Sequence, residues 1–435
     1  MARSSRCKAP PIWWPSSRRS TKQLAPVWRS DLHRPTPTSP VSDLRTSRIT
    51  TPQPALGRSF LIDAIKATGC LLIVLHHMAF YGPMSDVVAT AWPAVVRWLY
   101  DHGRYAVQLF LVCAGFLTAN HLARLESLAL KDAFKLVGNR YLRLAIPLLA
   151  ALSFTVLITE WVRPDFDHAS LSATPDWGQA LAHMLLLQHL LDMEALSAGI
   201  WYVAIDFQLY AMTLLSLWVV SLCRSAQARY SVRAMRLVLW CLLTCASWWW
   251  WNLDTALDDH GVYFFGAYGL GLLAWEARSW LSHNAPTAQQ KWALWLGLLL
   301  LWGVAWWLGP RGRMAVAFGI TALLVAAPVR WFLGDALSQS PWRRGVAWLS
   351  GVSYSVFLMH FGVSLAISAW ITWAWPDVLW ANAMGMLLAL LVSLGFGGML
   401  YRFVERQAPT WWHWWLWAGF FKASVALTVL TNPVG

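Results

Sequence analysis

Residues Leu61 to Phe80 read LIDAIKATGCLLIVLHHMAF. A run of this length and apolar character is what a helix needs to cross a bilayer. Yet it carries Asp63, Lys66, His76 and His77. Ionisable groups at membrane depth are costly, so they usually mark a functional path. On a helix, Lys66 and His77 fall roughly 20° apart and about 16 Å along the axis. Asp63 sits one turn below Lys66, within reach of an ion pair. His76 points about 80° away from that stripe. One face therefore holds an acid, a cation and an imidazole, in that order. The plainer alternative makes Asp63 and Lys66 headgroup anchors and leaves the histidines bonded to neighbouring helices.

Working outward, the 435 residues are 57% hydrophobic and only 13% charged, which indicates a polytopic membrane protein. Apolar segments recur at 60–80, 104–123, 143–161, 199–222, 235–251, 261–278, 291–308, 313–333, 346–372 and 380–402. They predict an all-α membrane bundle of about ten transmembrane helices. Many of the 33 Trp fall near span ends, where an amphipathic ring suits the headgroup region.

The net charge of +13 is not a nucleic-acid signature, because it is distributed as a membrane protein distributes it. Residues 1–57 hold ten Lys or Arg against Asp31 and Asp43. This Ser-, Pro- and Arg-rich stretch is expected to be a disordered basic tail. It has no apolar core followed by a cleavage site, so it is not a secretory signal. An organellar targeting segment or a misplaced start would share its composition. Further on, Arg124, Lys131, Lys135, Arg140 and Arg143 follow the second span, and Arg224, Arg229, Arg233 and Arg236 follow the fourth. Acidic residues fill the intervening loops, including Asp165, Asp167, Asp176, Asp192 and Glu194, then Asp254, Asp258 and Asp259. Alternation of this kind predicts an inner-membrane protein with both termini cytoplasmic. Arg311 and Arg313 break the pattern. Residues 410–435 open on a Trp cluster, which reads as an interfacial helix, with an eleventh span as the alternative.

Three further stretches hold candidate chemistry. The fourth span begins GIWYVAIDFQLY, placing Asp206 at a depth similar to His77, with Tyr210 one turn further on the same face. A carboxylate bonded to an imidazole makes it a better base and holds one tautomer, so His77–Asp206 is a candidate catalytic pair. In GVSYSVFLMHFG, Ser353, Phe357 and His360 share one stripe, with Tyr354 beside it. Arg140 and Arg143, one turn apart at the inner surface, suit lipid headgroups or the phosphates of a cytoplasmic ligand. The six cysteines show no metal-type spacing, and neither a phosphate-cradling Gly loop nor a GxSxG elbow occurs.

These pieces resemble the acyltransferase 3 family of integral-membrane acyltransferases over about 58–409. The family's Arg, ten residues, His pattern is similar to Lys66 and His77, with Asp63 matching its upstream acid. Its Phe-Phe-x-x-Ser-Gly-Phe run resembles Phe110 to Phe116, with Ala114 in place of the Ser. Arg140, Arg143 and Pro147 resemble the start of its third helix. Trp201, Asp206 and Tyr210 resemble its Trp-x-Leu-x-x-Glu…Tyr run, and Ser353, Tyr354, Ser355 and His360 its Ser-Tyr-Ser…His helix. Glu405, Arg406 and Pro409 are similar to its closing Glu-Arg-Pro. The resemblance implies transfer of an acyl group, often acetyl, from cytoplasmic acyl-CoA to a hydroxyl of a cell-surface carbohydrate or lipid-linked sugar. Acyl-CoA is then a substrate, and no bound cofactor or metal is expected. His77, Lys66 and Asp206 become candidate catalytic groups. Asp63, Arg140, Arg143, Trp201, Tyr210, Tyr354 and His360 become candidate substrate-binding groups. Lys for Arg and Asp for Glu depart from the family, shortening reach and removing a planar fork. The competing class is a transporter or flippase for a glycan or lipid-linked substrate, which also needs polar groups at membrane depth.

Overall fold

The computed structural model describes residues 59–431 apart from 126, 227–230, 329–330 and 333–339. All of them belong to the compact unit that begins at Pro54. The expected basic tail, 1–57, lies outside the described residues. The described chain is helical, with no strand among its described residues.

Helix α1 (Phe60–Phe80) starts where the Ser59 side chain accepts from the Ile62 N–H at 3.5 Å, a common N-cap arrangement. Short α2 (Met84–Ala89) and α3 (Pro93–His102) turn the chain back, and α4 (Ala106–Leu122) returns through the bundle. Then come α5 (Leu130–Val162), α6 (Trp177–Met184), α7 (Trp201–Ala226), α8 (Val232–Trp249) and α9 (Gly261–His283). The chain closes with α10 (Ala288–Leu308), α11 (Gly312–Ala326), α12 (Pro341–Ala374), α13 (Leu379–Leu400) and α14 (Trp411–Thr431). Each of the ten expected spans is a helix. Among the described residues, seven of these stretches and α14 are long and apolar enough to cross a membrane, while α8, α9 and α11 are not.

The bundle has two faces. The one holding Ser59 is called near, the other far. Helices α1 and α12 run in parallel, with Ser350 Oγ donating to Asp63 Oδ1 at 2.6 Å at one level and His77 beside His360 higher up. Along α12, Trp342 to Trp370 spans about 42 Å, the depth of a bilayer with its headgroup layers. His360 then lies about 27 Å from Trp342 and about 15 Å from Trp370, in the far half.

Two segments depart from expectation. The C-terminal helix does not lie in the interface. Trp414 Nε1 donates to Tyr141 OH at 3.0 Å, and Thr431 Oγ1 donates to Glu160 Oε1 at 2.9 Å. Those contacts set α14 parallel to α5 over about 28 Å of depth. Residues 59 and 431 therefore lie at opposite ends of the bundle. The reason is local. Trp414 finds a hydrogen-bond partner inside the bundle, and the apolar run after it is long enough to traverse.

The second departure is the segment 163–200. An acid-bearing loop this long is expected to lie outside the membrane. Instead it folds back into the bundle, with Tyr141 OH donating to the Met184 carbonyl at 2.6 Å. Its end packs on His77, because a Cβ at Gly199 would meet His77 Cε1 at 2.9 Å and Phe357 Cζ at 2.8 Å. Gly199 adopts φ +76°, a left-handed conformation that glycine tolerates without steric cost. Helix α7 thus begins at the depth of His77, not at the far surface.

The anomalous pair Arg311 and Arg313 acts locally. Arg311 donates to the Asn252 carbonyl at 2.8 Å and to Asn252 Oδ1 at 2.6 Å, and also reaches the Trp248 carbonyl at 3.2 Å. Arg313 donates to Tyr263 OH at 2.5 Å. Cations at the C-terminal end of α8 satisfy orphan carbonyls and complement the helix dipole.

Candidate active site

A cavity of about 800 Å³ opens among α1, α4, α5, α7, α12 and the turn after α13. Exposed His121, Asn139 and Arg143 form its near rim. Lys66, Arg140 and Arg143 set three cations in its wall against two carboxylates, Asp206 and Glu405, with Tyr210 and Tyr354 among the remaining polar lining. Its inner end is aromatic, formed by Phe110, Tyr202 and Phe357.

Several of the polar groups are held by a helix irregularity or a direct bond. Pro147 inside α5 removes the N–H that would bond the Arg143 carbonyl. Tyr354 OH donates to the Leu144 carbonyl at 2.8 Å, tying α12 to that same turn. The last turn after α13, Tyr401–Glu405, is a π-helix, an irregularity frequent at functional sites. It turns Glu405 inward to accept from Ser355 Oγ at 2.6 Å.

Asp206 pairs with Arg140, not with His77. Arg140 Nη2 lies 2.5 Å from Asp206 Oδ2, and the guanidinium sits 5.4 Å from the Tyr210 ring centroid. The expected His77–Asp206 pair is therefore corrected, and the depth of α7 explains it. Gly199 sets the start of α7 level with His77, so Asp206, seven residues on, lies about 10 Å nearer the near face. There it meets α5. Arg140 Nε is buried in the cavity wall without a protein partner.

His77 has a different partner. His77 Nδ1 is 2.7 Å from His360 Nε2, and His360 Nδ1 is 2.6 Å from the Phe357 carbonyl. A carbonyl only accepts, so His360 carries its proton on Nδ1. With both rings neutral, its bare Nε2 accepts from His77 Nδ1–H, and the lone pair of His77 is left on Nε2. The hydrogen positions follow from the partners. Both rings are buried. They line a separate space of about 20 Å³ with Tyr81 and Ser170, room for little more than one water. Phe357 lines the inner end of the large cavity, with its ring centroid 6.4 Å from that of His77.

Of the ten expected site residues, Lys66, Asp206, Arg140, Arg143, Tyr210 and Tyr354 line the large cavity, and His77 and His360 meet behind its inner end. Two lie elsewhere. Asp63 is buried against Ser350 and is not part of the cavity lining, so its place is in the α1–α12 contact. Trp201 lines a second cavity on the far face. His76 Nδ1 lies 3.0 Å from the Leu99 carbonyl and fastens α3 to α1. Sequence reasoning missed Phe357 and Gly199 as walls of the site and gave Glu405 no role in it. A carboxylate closing an apolar span was the available signal for Glu405. Nothing local distinguishes Gly199.

A membrane-embedded helix bundle with a cation-rimmed cavity and a buried imidazole pair behind its inner end is the class that fold and site define. Comparison with known families is specific. Residues 61–396 match the acyltransferase domain model of the acyltransferase 3 family, and the chain belongs to that family. Neither the curated proteins nor the solved structures give a significant match. The protein is thus a membrane acyltransferase that transfers groups other than aminoacyl groups.

Proposed function

We propose that the protein carries an acyl group, acetyl in the simplest case, from cytoplasmic acyl-CoA to a hydroxyl of a cell-surface carbohydrate or lipid-linked sugar. The observation that carries this reading is the cation-lined cavity whose aromatic end includes Phe357, a ring 6.4 Å from that of His77. The near face is taken as cytoplasmic because the basic segments 124–143 and 233–236 lie on it, and inward loops are enriched in Lys and Arg.

On this reading Lys66 and Arg143 hold the donor's phosphates, and Arg140 contributes the Nε that Asp206 leaves uncommitted. Asp206 keeps Arg140 in one orientation. The acyl-bearing arm runs along Phe110 and Tyr202 toward Phe357, over roughly the 16 Å from Lys66 to His77. His77 Nε2 takes the proton of the acceptor hydroxyl as the oxygen attacks the thioester carbonyl. The carbon–sulfur bond breaks, and the CoA thiolate leaves and is reprotonated by the imidazolium. His360 fixes the tautomer that leaves Nε2 bare. CoA itself need not cross the membrane.

Replacing His77 with Ala is expected to abolish O-acylation of surface glycans, read by mass spectrometry, with the protein still present in the membrane at normal abundance. Full acylation by that variant would overturn the mechanism. A flippase reading draws on the second cavity, which lies on the opposite face and shares only Val107 with the first. Release of CoA from acetyl-CoA by purified membranes, dependent on His77, separates the two.

A further inference from the structure

The far face carries a cavity of about 730 Å³ that the donor mechanism does not use. It falls within the size range of small-molecule sites. Separate stretches of chain converge on it: Arg104 and Tyr105 before α4, His189 in the folded-back segment, Trp201 at the head of α7, and Asp258 and Asp259 between α8 and α9.

Its chemistry is mixed in a particular way. Trp201 is half-buried and stacked on Phe264, with ring centroids 5.4 Å apart and planes at 30°. That contact fixes one flat apolar face. Around it stand planar polar groups of both kinds. Asp258 is exposed and Asp259 half-buried, and both accept only. Arg104 is exposed and donates only. His189 Nδ1 lies 3.3 Å from Asp259 Oδ1, while its Nε2 is buried with no protein partner. Arg311 and Arg313 border the cavity too, but their guanidinium groups are engaged with Asn252 and Tyr263. A lipid chain would strand these charges unpaired. A polyanion would meet two carboxylates. A molecule with C–H faces and many hydroxyls satisfies both the ring and the ions.

The cavity is also placed where such a molecule is needed. A Cβ at Gly103 would come 2.6 Å from His76 Cβ, and one at Gly199 would come 2.9 Å from His77 Cε1. The stretches that reach the cavity wall at Arg104 and at Trp201 thus lean, through one glycine each, on the two adjacent histidines. Val107 lines both this cavity and the cation-lined one.

We infer that the far-face cavity is a carbohydrate site, with Trp201 as the stacking face for a sugar ring and Asp258 and Asp259 accepting from its hydroxyls. That this sugar is the acyl acceptor rests on the acyltransferase reading above. The sugar site itself is tested without activity. The full chain in nanodiscs is mixed with methyl glycosides of glucose, galactose, mannose and rhamnose, and saturation-transfer NMR reports contact. Acetyl-CoA binding is followed in parallel by calorimetry. At least one glycoside is expected to show transfer. Trp201→Ala and the double variant Asp258→Asn, Asp259→Asn should each weaken its binding roughly five- to tenfold, with acetyl-CoA binding unchanged. No transfer from any glycoside, or transfer that survives both variants, overturns the site. Where Trp201→Ala also loses acetyl-CoA binding, Trp201→Phe decides, since it keeps a flat ring: retained transfer supports the site and lost transfer overturns it. Sugar contact without any acetyl-CoA binding in the unaltered chain would count against the donor reading alone.

Discussion

His77 does not work with a carboxylate. Its proton position is set by a second imidazole, and that one by a main-chain carbonyl. The distinction is testable because a carboxylate would stabilise an imidazolium, whereas His360 only orients. His360→Leu removes the acceptor and lets the His77 tautomers interconvert. The expected outcome is a loss in transfer rate of about 100-fold, the scale of a misplaced general base. The KM for acetyl-CoA should hold, because the cation-lined cavity is untouched. His360→Gln, whose amide oxygen can accept from His77 Nδ1–H, should recover a measurable part of that rate. Equal loss in both variants, or a loss in KM alone, would remove the orienting role. Lys66, Arg140 and Arg143 were legible as cations gathered near one end of their spans, and all three line the same cavity. The partner of Asp206 was not legible. Seven residues from the head of a helix fixes a depth only when the head's own depth is known.

At the scale of elements, the folded-back segment 163–200 is what sets that depth, and it carries a pH-sensitive joint. His183 is fully buried, and burial pushes its pKa down to about 4, against the opposing bond to the Gln179 carbonyl and with the nearby His189 adding to the depression. His183 Nδ1 lies 2.8 Å from the Gln179 carbonyl, so Nε2 is bare and accepts from the Leu196 N–H at 3.2 Å. Between the ordinary 6.5 and about 4, the opened segment binds a proton that the closed one does not. Closure is therefore at full strength above pH 6.5 and weakens as pH falls toward 4. Hydrogen-exchange protection factors of residues 177–200, referred to the intrinsic rate at each pH, should fall over that window, and His183→Gln should flatten the dependence. A second element-scale expectation concerns α4 and α9. A Cβ at Gly271 would come 2.0 Å from the Val112 carbonyl oxygen, and one at Gly115 would come 1.9 Å from the Tyr268 oxygen. Small residues let these two backbones touch. Gly271→Leu is expected to cost about 1–3 kcal/mol in thermal unfolding in detergent. Gly297→Leu on α10, where a Cβ meets nothing within 4 Å, should be silent. Gly115 and Gly271 lie more than 150 residues apart, so no local pattern pairs the two helices.

At the scale of the whole molecule, α14 decides the topology. Running parallel to α5 from Tyr141 to Glu160, it carries the chain to the far face at Thr431. Reporter fusions after Gly435 and before the first span should therefore report opposite sides of the membrane. The same side for both would restore the interfacial reading. The bundle also resolves into two cavities on opposite faces, with the imidazole pair in the far half between them. That division puts Trp201 and Arg140 in different cavities, although both were expected to serve the substrate.

Hydropathy and periodicity are local properties, so residue order alone determined that this chain is a helical membrane bundle. It determined where most of the helices lie, which cations gather at one end, and that Ser353, Phe357 and His360 share a face. It also contained the motifs of its family. The contacts between helices are not local. Which group meets His77 depends on how deep α7 begins, and that depth is set by a distant loop folding inward until a glycine touches the imidazole. Whether the last helix crosses depends on Trp414 finding Tyr141. Both are outcomes of packing between segments far apart in the chain, and only the assembled bundle decides them.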